Sequence, residues 1–121
     1  MLSWAWVWEV TSTIRIIRRR FLRQTATGLY IQDIELQNVG ATPLQGPISL
    51  MLDGLTPGAT LRNATHSTVC SPIGKPYLDG PLGSDKTLGR GETLYLRLEF
   101  TRRPGTAIAY TPRVFAGPGI R

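Results

Sequence analysis

Histidine and cysteine are almost missing from this chain: its 121 residues hold one of each, His66 and Cys70. A single cysteine excludes an internal disulfide and leaves the redox compartment open. A lone thiol is most often a small buried hydrophobe. With one histidine, the His-rich metal sites and the nucleophile–His–acid arrangements lose their central member. His66 and Cys70 stand four apart, a spacing that would join them on a helix. Pro72 and the β-branched Thr65, Thr68 and Val69 argue instead for extended chain. There the two lie roughly 13 Å apart, too far for a base to activate a thiol.

Acidic residues are also few, eight against fourteen basic ones, for a net charge of +6. None of them falls in the alternating Asp/Asn loop closed by Glu that wraps calcium. Asp33 and Glu35 are i, i+2 neighbours, roughly 7 Å apart along a strand, a spacing that suits a carboxylate pair and equally an ordinary wet face. The second reading is preferred. Gly80-Pro81-Leu82-Gly83 and Gly117-Pro118-Gly119 lack the strand-to-helix setting and the lysine of a phosphate loop. Neither a cofactor nor a metal is expected. No run approaches the ~18 apolar residues of a membrane span. The start, MLSWAWVWEV, lacks the basic region, full apolar core and cleavage site of a signal peptide.

What the chain has in quantity is glycine and proline, thirteen and nine, gathered between apolar runs. That is the punctuation of many short strands. A composition 41% hydrophobic and 18% charged argues against disorder. The length fits one domain able to bury about two thirds of its unfolded surface. Strand periodicity is clearest in Leu94, Leu96, Leu98 and Phe100, which alternate with Tyr95, Arg97, Glu99 and Thr101. Ile34 and Leu36 oppose Asp33, Glu35 and Gln37; Ile48, Leu50 and Leu52 oppose Ser49, Met51 and Asp53. Side chains in a strand alternate between faces, so each run has an oily and a wet side.

The stretch Tyr30 to Leu55 reads as strand, turn, strand, a central hairpin. Leu61 to Val69 is a weaker strand, and Cys70 to Gly91 reads as loops with one or two short edge strands. Ile108, Tyr110 and Val114 mark a last strand. Pro112 cannot donate to a ladder, which places that strand at an edge or a bulge. The sum is about seven antiparallel strands, no helix, no repeat and no dividing linker.

The binding candidates are aromatic and basic. Trp4, Trp6 and Trp8 alternate with Ala5, Val7 and Glu9 and lead into Val10, Ser12, Ile14 and Ile16. They read foremost as a first strand with tryptophan on its inward face. The alternatives are an aromatic strip for sugars or a protein partner, and a frayed start. Arg15, Arg18, Arg19, Arg20 and Arg23 form the densest charge and precede the turn Thr25 to Gly28. Such a cluster can attract phosphates, but with Phe21 alone among the arginines it lacks the aromatic interleaving of the single-strand-binding kind, and edge strands are commonly guarded by positive charge. A solvated face is therefore expected, with no specific nucleic acid. Tyr77 and Tyr95 complete the candidate ring platforms. Asn63-Ala64-Thr65 fits an N-glycosylation acceptor, a frequent chance match.

At Asn38-Val39-Gly40, Leu44-Gln45-Gly46-Pro47-Ile48-Ser49-Leu50, Pro57-Gly58, Leu61 to Thr65, Gly91-Glu92 and Tyr110 to Val114, the chain resembles bacterial immunoglobulin-like or fibronectin type III-like surface modules. The resemblance spans about residues 10–119 and implies a single immunoglobulin-like β-sandwich of about seven strands. Residues 1–9 stand before it as a Trp-rich extension or the start of the first strand. It further implies a non-catalytic structural, adhesive or spacer domain within a larger exported protein, extracellular or on the cell surface. Its partners would be neighbouring domains, or a protein or glycan surface. Export would then depend on sequence outside this chain. A carbohydrate-binding module using Trp4, Trp6, Trp8, Tyr77 or Tyr95 is the alternative.

Overall fold

The alternating runs become strands in the structure, a computed structural model that describes residues 6–70 and 72–121. Among those residues there is no α-helix, and a 3-10 turn lies at Thr11–Thr13. The strands are β1 (Trp8–Glu9), β2 (Ile14–Arg18), β3 (Leu22–Arg23), β4 (Tyr30–Asn38), β5 (Leu44–Gln45) and β6 (Ile48–Asp53). They continue as β7 (Ala59–Leu61), β8 (His66–Ser67), β9 (Pro76–Asp79), β10 (Thr87–Leu88), β11 (Thr93–Arg102) and β12 (Thr111–Ala116). One sheet runs β1-β12-β6-β9-β8 and the other β2-β4-β11-β7, with β3 beside β4 and β5-β10 as a separate ribbon. All pairings are antiparallel.

The core lies between the two sheets. Ile34, Leu36, Leu94, Leu96, Leu98 and Phe100 from one meet Ile48, Leu50, Leu52, Val114 and Ala116 from the other. Phe100 stacks on Tyr110 and meets Phe21 edge-on, closing one end. Burial of this kind contributes about 1.5–3 kcal/mol per large side chain.

Several expectations are revised. The central hairpin does not form, because β4 pairs with β2, β3 and β11 while β6 pairs with β12 and β9. The turn after Asn38 carries the chain from one sheet to the other. Asn38 organises it from a fully buried position: its amide donates to the carbonyls of Thr42 (2.9 Å) and Leu88 (3.0 Å), and its oxygen accepts from the Gly40 N–H. Strand segments exceed seven because the expected strands break. The first divides at the Thr11–Thr13 turn, switching sheets between β1 and β2, and the 61–69 run yields two short pieces.

The 70–91 region contributes β9, which is no edge strand: it lies between β6 and β8. The last strand lies between β1 and β6, yet Pro112 has no hydrogen-bonding neighbour to lose. The Val114 N–H points toward the Thr11 hydroxyl, and Pro112, two residues earlier on the same edge, faces past the end of β1. The edge is local.

The supposed wet face of β6 is also wrong in part. Ser49 and Met51 are fully buried. A second layer covers that face: residues 117–121 with residues 68–70 and 72–75, joined where Val69 N–H (2.7 Å) and Cys70 N–H (3.3 Å) donate to the Arg121 carbonyl.

Candidate functional site

Two outer surfaces carry the candidate residues, one on each sheet.

On the first sheet, an apolar groove of about 320 Å³ runs between the strands and the covering layer, lined among others by Val7, Met51, Cys70, Phe115 and Ile120. One wall is held by Arg121. Its guanidinium donates to Ser49 Oγ (2.6 Å) and to the carbonyls of Gly117 (2.6 Å), Gly119 (2.7 Å) and Pro47 (2.6 Å). The Ser49 hydroxyl in turn donates to the Asp79 carboxylate. Burial draws the Arg121 pKa below the ordinary arginine range, against the pull of the nearby Asp79 charge. No periodic pattern in the sequence marks Arg121, since its partners are mostly backbone carbonyls brought together by tertiary contact. Ile120 in the groove lining is exposed, as are Trp6, Trp8, Val69 and Ile73, chain neighbours of the lining residues Val7, Cys70 and Pro72.

Trp6 and Trp8 are 61% and 53% exposed, so the inward-facing tryptophan reading is overturned for both. β1 is a two-residue edge strand, too short to seat a ring over the core; Val10 and Ile14 do that packing. Trp4 lies outside the described residues. Tyr77 is overturned as an exposed platform. It is 9% exposed on β9, opposite Met51 and His66, and burial pushes its hydroxyl pKa up. Nearby, Arg113 binds Glu9 (2.6 Å) and Asp53 (3.2 Å), and Lys75 also reaches Asp53 (3.4 Å).

On the second sheet nothing comparable among the described residues covers the outer face of β2, β4 and β11. Tyr95 stands there 66% exposed, directly across from Glu35. Arg97 grips Asp33 across the strands (2.9 and 3.3 Å), and Arg19 pairs with Glu35. Arg97 holds the Asp33 carboxyl below its ordinary value. These side chains rim a shallow depression of about 400 Å³ whose floor is Ile34 and Leu96. Asp33 and Glu35 thus work as arginine partners on a wet face.

The arginine cluster divides. Arg18 reaches the Tyr110 carbonyl (3.3 Å) and lies over its ring, Arg19 belongs to the depression, and Arg15, Arg20 and Arg23 are exposed along the β2–β3 edge. His66 is exposed on β8 and Cys70 is buried beneath Ile120, its thiol 3.5 Å from that residue's carbonyl oxygen. The Asn63 side chain is tied to β11, donating to the Arg97 carbonyl (2.8 Å) and accepting from the Glu99 N–H (3.0 Å). Among the described residues no three His, Cys, Asp or Glu gather as a metal site would require. No helix among them is long and apolar enough to cross a membrane.

The fold and its surfaces define an all-β protein with antiparallel sheets. The chain matches no protein-family model, no curated protein and no solved structure.

Proposed function

We propose that this chain is a non-catalytic, immunoglobulin-like interaction module of a larger exported protein. The observation that carries the reading is the apolar groove on one sheet, whose lining includes the exposed Ile120, with the exposed Trp6, Trp8, Val69 and Ile73 next in the chain to lining residues Val7, Cys70 and Pro72. Exposed apolar surface of that kind, bordered by polar residues, is what contact with a partner surface uses. Ion pairs dress both sheets, Arg113 with Glu9 and Asp53 on this one and Arg97 with Asp33 on the other, so charge pairing does not set the two apart.

Connectivity supports the immunoglobulin-like part. Taking β2, β4, β6, β7, β11 and β12 as the first six strands, the sheets run first-second-fifth-fourth and sixth-third, as in immunoglobulin domains. The chain departs from that plan in two places. β1 occupies the flank of β12 where a seventh strand would sit, and β8–β9 are added beyond β6.

The test is hydrogen exchange on the intact native gene product against the isolated 121 residues. The expected product is longer, recovered outside the cell, and protected at 6–8 and 69–73 relative to the isolated domain. An intracellular product, or equal exchange at those segments, overturns the reading.

A second reading is a carbohydrate-binding module, favoured by the exposure of Trp6, Trp8 and Tyr95. Indole and phenol faces offer rigid apolar area to the C–H faces of sugars at low conformational cost.

A further inference from the structure

We propose that the outer face of β2–β4–β11 is a binding site for a neutral oligosaccharide, one pyranose lying on the Tyr95 ring and its hydroxyls bonding to Asp33, Arg97, Glu35 and Arg19. The inference rests on the carbohydrate-binding reading and names its site, away from the tryptophans.

Register places the groups. Ile17, Glu35 and Tyr95 form one row across the three strands, and Asp33 and Arg97 lie opposite each other in the next. Arg19 joins that second row, its N–H donating to the Asp33 carbonyl (3.0 Å). Successive rows on one face are roughly 7 Å apart and neighbouring strands about 4.8 Å. An aromatic face therefore stands beside a line of hydrogen-bonding groups, the pattern that a sugar ring presents in reverse: apolar C–H face, polar rim.

Charge selects the neutral class. Each carboxylate in the depression is matched by a guanidinium, Asp33 by Arg97 and Glu35 by Arg19, so the site has no surplus charge to recruit an ion. It does have acceptors and donors side by side, and a hydroxyl serves both. Shape agrees: β4 and β11, nine and ten residues long, leave an uncovered face along which a glycan chain can lie. The other sheet offers no such surface, because residues 117–121 with residues 68–70 and 72–75 occupy it.

Affinity electrophoresis through soluble glucan, mannan and xylan, with a polyuronate as the acidic comparison, tests the proposal. Retardation by at least one neutral chain is expected. Tyr95→Ala should weaken it at least tenfold, Tyr95→Phe should retain it, and Trp6→Ala/Trp8→Ala should weaken it less than Tyr95→Ala does. Tyr95 is exposed, so the alanine variant should fold; an unchanged circular dichroism spectrum checks this. Undiminished binding by Tyr95→Ala, with loss in the tryptophan variant, sinks this site and leaves the carbohydrate reading standing. Retardation by the polyuronate alone assigns the signal to the basic edge and overturns the proposal. Silence with every chain overturns both the site and the carbohydrate reading.

Discussion

Tyr110 shows how much one side chain settles. It is buried between the sheets, donates its hydroxyl to Gln32, stacks on Phe100 and supports Arg18. Burial pushes its pKa up to about 12, against an ordinary 10.0. The folded chain thus holds this proton more tightly than the unfolded chain. That stability is complete below about pH 10 and declines as pH rises toward 12, an effect of roughly 2–3 kcal/mol at most. Urea midpoints measured from pH 8 to 11.5 should fall at the alkaline end, and Tyr110→Phe should remove that dependence. Arg121 is a second case. Arg121→Ala frees the carbonyls of Gly117, Gly119 and Pro47 and the Ser49–Asp79 pair, and should cost about 3 kcal/mol in urea unfolding. Arg121→Lys should rescue little of it, because an ammonium cannot reproduce the planar fork.

Among the elements, β1 and residues 117–121 depend on each other. Gly119 N–H donates to the Trp6 carbonyl, and Gly117, at φ +120°, sits so close that a Cβ there would fall 2.1 Å from the same oxygen. Gly117→Ala should therefore lower the melting temperature by the equivalent of more than about 1 kcal/mol. A Gly83→Ala control should cost less, since a Cβ there would meet only the Asp85 carboxylate at 3.6 Å and its φ is not positive. β11 was fully legible: four inward residues and their exposed partners read directly as a half-buried strand. β6 was half legible. Its inner row was plain, but Ser49 and Met51 look like a wet row until residues 117–121 lie over them. The tryptophans misled for the converse reason, since a short edge strand gives aromatic alternation nothing to pack against. Of the site candidates, Tyr95 was legible as a wet-side residue of the β11 alternation, whereas Tyr77 stands in a broken run with no periodicity to mark its face. Only the pairing of β9 between β6 and β8 shows that Tyr77 is buried.

Across the whole molecule, carboxylates are held in their charged form by neighbouring cations: Glu9 by Arg113, Asp33 by Arg97, and Asp53, against a burial effect that opposes it, by Arg113 and Lys75. Each has a folded pKa below its unfolded value of 4.5 or 3.8. Their contribution is present above those values and is lost as pH falls through the folded pKa. Thermal unfolding should accordingly shift little between pH 5 and 8 and drop below about pH 4, where the net charge of +6 also rises. The effect should be modest, because these pairs are largely solvent-exposed.

Alternation with a period of two is a local property, so the amino-acid order alone determined the all-β class, the inward rows of β4, β6, β11 and β12, and the absence of a paired-cysteine framework. Which strands pair, which face of β6 is covered and which aromatic rings meet water are decided by contacts between residues far apart in the chain. Asn38 to Leu88, Arg121 to Ser49 and Glu9 to Arg113 are such contacts. No short-range pattern encodes them; they exist only once both sheets have closed on one core.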